Sequence, residues 1–106
     1  YLEGIDYKMT DNLEEGLKGA DLVYMTRIQR ERFDSPQEYE KHKGVYVLDK
    51  KIILNTNPEI KVLHPLPRID EIATDVDGMK NACYFKQARN GVAVRMALLA
   101  LVLGKA

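Results

Sequence analysis

Two short segments of this chain carry groups suited to gripping a small charged molecule. The first is Thr26-Arg27-Ile28-Gln29, at the end of an apolar run. Arg27 offers a planar fork of donors that fits a carboxylate or a phosphate, and Gln29 adds a neutral amide two residues on. The second is His64-Pro65-Leu66-Pro67-Arg68. Proline has no N–H and a fixed φ, so two prolines leave rigid carbonyls free to accept hydrogens from a ligand's amino or amide groups. Each segment also has a plainer explanation. Arg27, Arg30, Glu31 and Arg32 could form a solvated salt-bridging loop, and the prolines a sharp turn with His64 as a structural imidazole.

Other chemistry-bearing residues promise less. Asp70, Glu71, Asp75 and Asp77 follow no metal-ligand spacing and read as a solvated or ion-paired surface. Cys83, beside Tyr84 and Phe85, has no paired base and reads as a buried, inert thiol. It is the only cysteine, so no internal disulfide and no zinc cluster is expected. Asn90-Gly91 lacks a phosphate-binding glycine pattern and reads as a turn.

The elements around these residues follow from periodicity and punctuation. Asp11 and Glu14 have capping-box spacing, which predicts a helix over 11–18 ending at Gly19, after a short strand around Tyr7. Residues 21–26 read as a strand covered on both faces. Residues 27–36 are too charged for a core and read as a surface loop, followed by a helical turn or two over 37–43. Asp49 caps a small helix over 50–55 that Asn57-Pro58 ends. Residues 60–63 form a second strand, stopped by the prolines. Helical pattern resumes near Asn81, with a break at Asn90-Gly91 before an apolar helix over 92–103. Strands alternating with helices predict an α/β fold with a parallel sheet, and both polar segments should emerge at the carboxyl ends of its strands, where such sheets bind ligands.

Composition narrows the function. The 106 residues, 45% hydrophobic, suffice for one modest core. Sixteen basic residues balance sixteen acidic ones, interspersed, which argues against a nucleic-acid or anionic-membrane binder. The most apolar stretch, 92–103, is too short to span a bilayer and contains Arg95. The chain enters patterned sequence almost at once without an initiator methionine, and reads as part of a longer polypeptide.

Three segments together resemble the C-terminal half of aspartate carbamoyltransferase catalytic chains in order and spacing. They are Ala20-Asp-Leu-Val-Tyr-Met-Thr-Arg-Ile-Gln-Arg-Glu-Arg-Phe33, Val62-Leu-His-Pro-Leu-Pro-Arg-Ile-Asp-Glu-Ile72, and Tyr84-Phe-Lys-Gln-Ala-Arg-Asn-Gly91 with the apolar run from Arg95. The resemblance implies transfer of a carbamoyl group from carbamoyl phosphate to L-aspartate, giving N-carbamoyl-L-aspartate and phosphate for pyrimidine synthesis in the cytoplasm, with no cofactor and no metal. It implies that Arg27 meets a substrate carboxylate with Gln29 beside it; separately, Glu31 is expected to orient Arg27 as a local counter-ion. Main-chain carbonyls of Pro65 and Leu66 would meet the reacting amino groups, with His64, Pro67 and Arg68 in support. It also implies a cis Leu66-Pro67 bond.

The implied fold is an incomplete three-layer α/β domain with a parallel sheet. Residues 1–106 would be the C-terminal part of the aspartate-binding domain, and the helix over 92–103 would pack on an N-terminal carbamoyl phosphate domain. That domain's Ser-Thr-Arg-Thr-Arg phosphate loop and carbamoyl-binding histidine are not in these 106 residues. The family's active sites lie between subunits of a homotrimer, which can carry regulatory subunits. Ornithine carbamoyltransferase is a rival, but it carries His-Cys-Leu-Pro where Pro65 stands here, and a Ser-Met-Gly segment that this chain lacks. A non-catalytic fragment or assembly module needing a partner chain is the other alternative.

Overall fold

In a computed structural model, residues 3–27, 35–37 and 46–105 are described. Thr10-Asp11-Asn12 offers three successive side chains able to cap a helix. Asn12 does so, its Oδ1 accepting the Glu15 N–H at 2.9 Å. Thr10 Oγ1 in turn accepts the Asn12 N–H at 3.2 Å. Helix α1 is therefore Leu13–Leu17, and the capping box expected on Asp11 and Glu14 is corrected by one residue. Glu15, in the position that would close such a box, turns instead to Lys8 and Thr10. Leu17 is buried, and Gly19 at φ 75° leaves the helix through the left-handed region where a side chain would be strained.

Strand β1, Leu22–Tyr24, and strand β2, Lys61–Leu63, pair in parallel with Leu22 opposite Lys61, Val23 opposite Val62 and Tyr24 opposite Leu63. The pairing continues beyond β1, where the Met25 N–H donates to the Leu63 carbonyl at 2.9 Å. On its other side β2 is bridged by Ala82, with Val62 N–H bonded to the Asn81 carbonyl and Val62 carbonyl to the Cys83 N–H. A second parallel bridge joins Leu48 to Ile72. The architecture is α/β with a parallel sheet, two strands wide among the described residues. Two strand expectations need correction. Residues 5–10 have no regular structure, so no strand forms around Tyr7. In β1, Leu22 and Tyr24 are exposed, because among the described residues no layer covers that face.

Helix α2, Lys50–Thr56, starts as expected at Asp49, whose Oδ1 accepts the Ile52 N–H at 2.7 Å. It ends at Asn57, whose amide donates to the Ala20 carbonyl at 2.8 Å and ties the entry of β1 to the entry of β2. A 3-10 turn, Thr74–Val76, leads to helix α3, Tyr84–Val102. The break expected at Asn90-Gly91 does not occur. The two residues weaken a helix by only about 1–2 kcal/mol together. A Cβ on Gly91 would lie 2.6 Å from Arg95 Nη1, the mobile end of an exposed side chain that can turn aside. Leu17, Met25, Leu48, Ile53, Ile60, Val62, Ile72, Val76 and Tyr84 form the core. Most of the helix expected over 37–43 and of the loop expected over 27–36 lies outside the described residues, though 36 and 37 are helical.

The cap assignment has a direct check. Asn12→Ala should lower the unfolding free energy by about 1 kcal/mol. Asp11→Ala should change it by less than about 0.5 kcal/mol, since its side chain is not the cap. Denaturant titration of the two variants side by side separates these outcomes.

Candidate functional site

Parallel pairing of β1 and β2 sends both polar segments out at the same edge. Thr26 and Arg27 follow β1, and His64 to Arg68 follow β2. Arg27 is exposed, with no ion-pair partner among the described residues. Gln29 and Glu31, expected beside it, lie outside the described residues.

The His64-Pro65-Leu66-Pro67 turn is held from beneath by its own histidine. His64 is buried, and its Nδ1 accepts the Leu66 N–H at 2.8 Å. A backbone amide can only donate, so Nδ1 carries no proton and the ring proton sits on Nε2. Nε2 donates to Glu71 Oε1 at 2.6 Å. The other Glu71 oxygen accepts the Ile69 and Asp70 N–H groups, each at 3.1 Å. Burial alone would raise the Glu71 carboxyl's pKa, but its own backbone N–H, that of Ile69, His64 and the Asp70 N–H together hold it below the usual range. The His64 N–H donates to Gln87 Oε1 at 3.0 Å, and Gln87 Nε2 donates to the Tyr24 hydroxyl at 3.0 Å. One helix side chain thus holds both strand ends.

Within this turn the Leu66-Pro67 peptide bond is cis, as the resemblance implies, and Leu66 has φ 48°. The left-handed region costs a residue with a Cβ roughly 1–2 kcal/mol. The bond from the Leu66 amide to His64 helps hold that conformation. Among the described residues, the Pro65 and Leu66 carbonyls accept no hydrogen bond from the protein.

Arg68 is committed to structure. Its guanidinium forms a two-pronged ion pair with Asp77, with Nη2 to Oδ2 at 2.6 Å, and Nη1 also donates to the Tyr84 hydroxyl at 3.2 Å. The Tyr84 hydroxyl donates to Asp77. Arg68 first and Tyr84 second hold the Asp77 carboxyl below its usual range. Burial, reinforced by Asp77, pushes the Tyr84 hydroxyl up to about 12. The acidic run is therefore divided in role. Glu71 is buried under the turn, Asp77 clamps Arg68, and Asp75 accepts the Lys50 N–H at 3.3 Å. Cys83, at the start of α3, is only half-buried, which corrects the expectation of an enclosed thiol.

Sequence reasoning missed Glu71, Gln87, Asp77 and Tyr84. Glu71 sits in a charge run that looks solvated, and nothing local marks which of four carboxylates turns inward. Gln87 is identifiable only once α3 is known to start at Tyr84, which puts position 87 in its first turn.

The family described as aspartate/ornithine carbamoyltransferase, Asp/Orn binding domain, matches residues 2–102. The chain belongs to this family. It is 56% identical over 102 residues to the aspartate carbamoyltransferase catalytic subunit of Clostridium perfringens, a match covering 96% of this chain and 33% of the relative. The chain thus spans about a third of the length of the curated relatives it matches. Among solved structures, the catalytic subunit of M. jannaschii aspartate transcarbamoylase matches with TM-score 0.66 and 45% identity over 81% of this chain and 28% of that one. The Trypanosoma cruzi aspartate transcarbamoylase in complex with aspartate and phosphate matches with TM-score 0.65 and 37% identity, over 81% of this chain and 24% of that one. The family relatives agree with the aspartate rather than the ornithine side of the resemblance.

The Tyr84 cluster predicts an alkaline limit to stability. A tyrosine whose pKa is raised by folding stabilises fully below its ordinary 10.0, and that contribution is lost as pH rises through about 12. Unfolding free energy should therefore fall between those values. Tyr84→Phe should be less stable at neutral pH, having lost its bonds to Asp77 and Arg68, but its stability should decline less steeply across the same alkaline window. Denaturant titrations at several pH values check both points.

Proposed function

We infer that this chain supplies the aspartate-binding part of an aspartate carbamoyltransferase that moves a carbamoyl group from carbamoyl phosphate to L-aspartate. The observation that carries the reading is the pairing, at one sheet edge, of an exposed Arg27 with Pro65 and Leu66 carbonyls that are unengaged among the described residues. The solved relative that holds aspartate and phosphate supports it. A dicarboxylate needs a cationic partner and its amine needs acceptors, and this edge offers both.

In the proposed reaction Arg27, with Gln29 beside it and Glu31 as counter-ion, receives an aspartate carboxylate. The Pro65 and Leu66 carbonyls accept hydrogens from the amino groups of aspartate and carbamoyl phosphate, setting the amine over the carbamoyl carbon. The new C–N bond forms, the bond from the carbamoyl carbon to the phosphate oxygen breaks, and the departing phosphate takes the amine proton. Arg68 serves the site by fixing the end of the turn through Asp77. Residues elsewhere in the full-length enzyme, in an N-terminal domain, would bind the phosphate. We further read the whole enzyme as a cytoplasmic homotrimer, with room for regulatory subunits.

The exposed apolar second half of α3 fits this picture. Val92, Val94, Met96, Leu98, Leu99, Leu101 and Val102 are all exposed. A surface of this kind favours association, and we read it as the seat of the N-terminal domain. Sedimentation should find the 106-residue chain self-associating as its concentration rises, and a chimaera carrying a relative's N-terminal domain free of association through this face. A strictly monomeric chain at high concentration would contradict that reading.

The same chimaera tests the activity, with labelled aspartate and carbamoyl phosphate as substrates. Arg27→Ala should reduce kcat/KM for aspartate by at least about 2–3 kcal/mol, and Arg27→Lys should also impair it by losing the fork. Carbamoyl phosphate binding should change far less. Intact aspartate kinetics in Arg27→Ala, or no carbamoyl transfer by a folded chimaera, would end the proposal. The second result would favour a non-catalytic module.

A further inference from the structure

The buried pair beneath the proline turn is shut away from solvent, yet it fixes the one amide that orients the Pro65 and Leu66 carbonyls. Glu71 is 5% exposed and His64 1%. The carboxylate accepts the Nε2 proton at 2.6 Å, which leaves Nδ1 bare, and a bare Nδ1 is what the Leu66 N–H requires at 2.8 Å. The second carboxylate oxygen is anchored by the Ile69 and Asp70 amides. These contacts run unbroken from the backbone after the turn, through Glu71 and His64, to the peptide that joins Pro65 to Leu66.

We propose that Glu71 is a positioning residue, which selects the His64 tautomer and thereby sets the direction of the Pro65 and Leu66 carbonyls toward the reacting amines. This rests on the function inferred above. A Pro65–Leu66 peptide rotated out of place leaves the Pro65 carbonyl pointing elsewhere, since that carbonyl and the Leu66 amide belong to one plane. The next carbonyl, Leu66's own, depends on the left-handed φ that the same amide bond helps to hold. Orientation errors of about 1 Å can cost about a hundredfold in rate.

Two substitutions of His64 separate this role from mere filling of the core. In His64→Asn the side-chain oxygen branches from Cγ, as Nδ1 does, so the variant keeps an acceptor for the Leu66 amide but cannot reach Glu71. In His64→Gln the amide nitrogen lies one bond farther out, as Nε2 does, so the variant keeps the donor to Glu71 but loses the acceptor. Glu71→Gln replaces one carboxylate oxygen with a donor, so it cannot serve His64 and both backbone amides together.

The measurements use a chimaera in which this chain replaces the matching third of the Clostridium perfringens relative. His64→Gln and Glu71→Gln should each lower kcat by about tenfold to a hundredfold while KM for aspartate moves much less. His64→Asn should retain a kcat at least about tenfold above that of His64→Gln. Crystal structures of the variants should find the Leu66 amide bonded to the position-64 side chain in His64→Asn, and the Pro65–Leu66 peptide rotated in His64→Gln. Equal loss of kcat in the two His64 variants, an unrotated peptide in His64→Gln, or failure of all three variants to fold would assign the pair a structural role and overturn the proposal. The Arg27 variants in the same chimaera report on the underlying function separately. Normal Arg27 behaviour with no His64 split sinks only the positioning role, whereas insensitivity to Arg27 sinks the function itself.

Discussion

Everything at the candidate site hangs from β2. Val62 at its centre is fully buried, faces Val23 across the parallel pairing and exchanges two hydrogen bonds with the Asn81 to Cys83 segment on its other side. A strand gripped along both edges cannot slip register without breaking both sets of bonds. Its end is therefore a fixed origin. The proline turn begins there, α3 begins just after the Ala82 bridge and Cys83, and β1 is aligned against it so that Arg27 emerges beside the turn.

The turn itself is built from conflicting demands that are met locally. Prolines free carbonyls for a ligand but remove donors that would otherwise pin the chain. Leu66 supplies the one amide in the Pro65-Leu66-Pro67 stretch, and His64 takes it. Satisfying that amide with a ring nitrogen leaves the other ring nitrogen needing an acceptor in the core, and Glu71 meets the need. A buried carboxylate would be expensive alone, so the backbone of Ile69 and Asp70 closes around it. Each polar group is present because of the one before it. Among the described residues, no buried side-chain nitrogen or oxygen is left without a partner.

Much of this framework could be read in the sequence, and the failures have physical reasons. Asp49 announces its helix because an Asx cap directly precedes helix-forming residues. Residues 60–63 announce a strand because prolines forbid anything longer. The parallel arrangement follows from the order of elements. Thr10, Asp11 and Asn12 are chemically near-equivalent caps, so choosing among them takes three-dimensional knowledge of where Leu17 must point. Asn90-Gly91 looks like a stop because local propensity is weak there, but two weak positions inside a 19-residue helix cost too little to end it. The proline segment was legible as a platform for carbonyls. Glu71 and Gln87 were not, because their partners lie seven and twenty-three residues away across turns, beyond any periodic pattern.

Gln87 gives the helix an unexpected relation to the site. Its amide oxygen holds the first residue after β2 and its amide nitrogen holds the last residue of β1. A tilt or slide of α3 would therefore reach both attachment points through one side chain. The apolar second half of α3 is thus connected to both strand ends through a single side chain, so the two halves of the edge share one support.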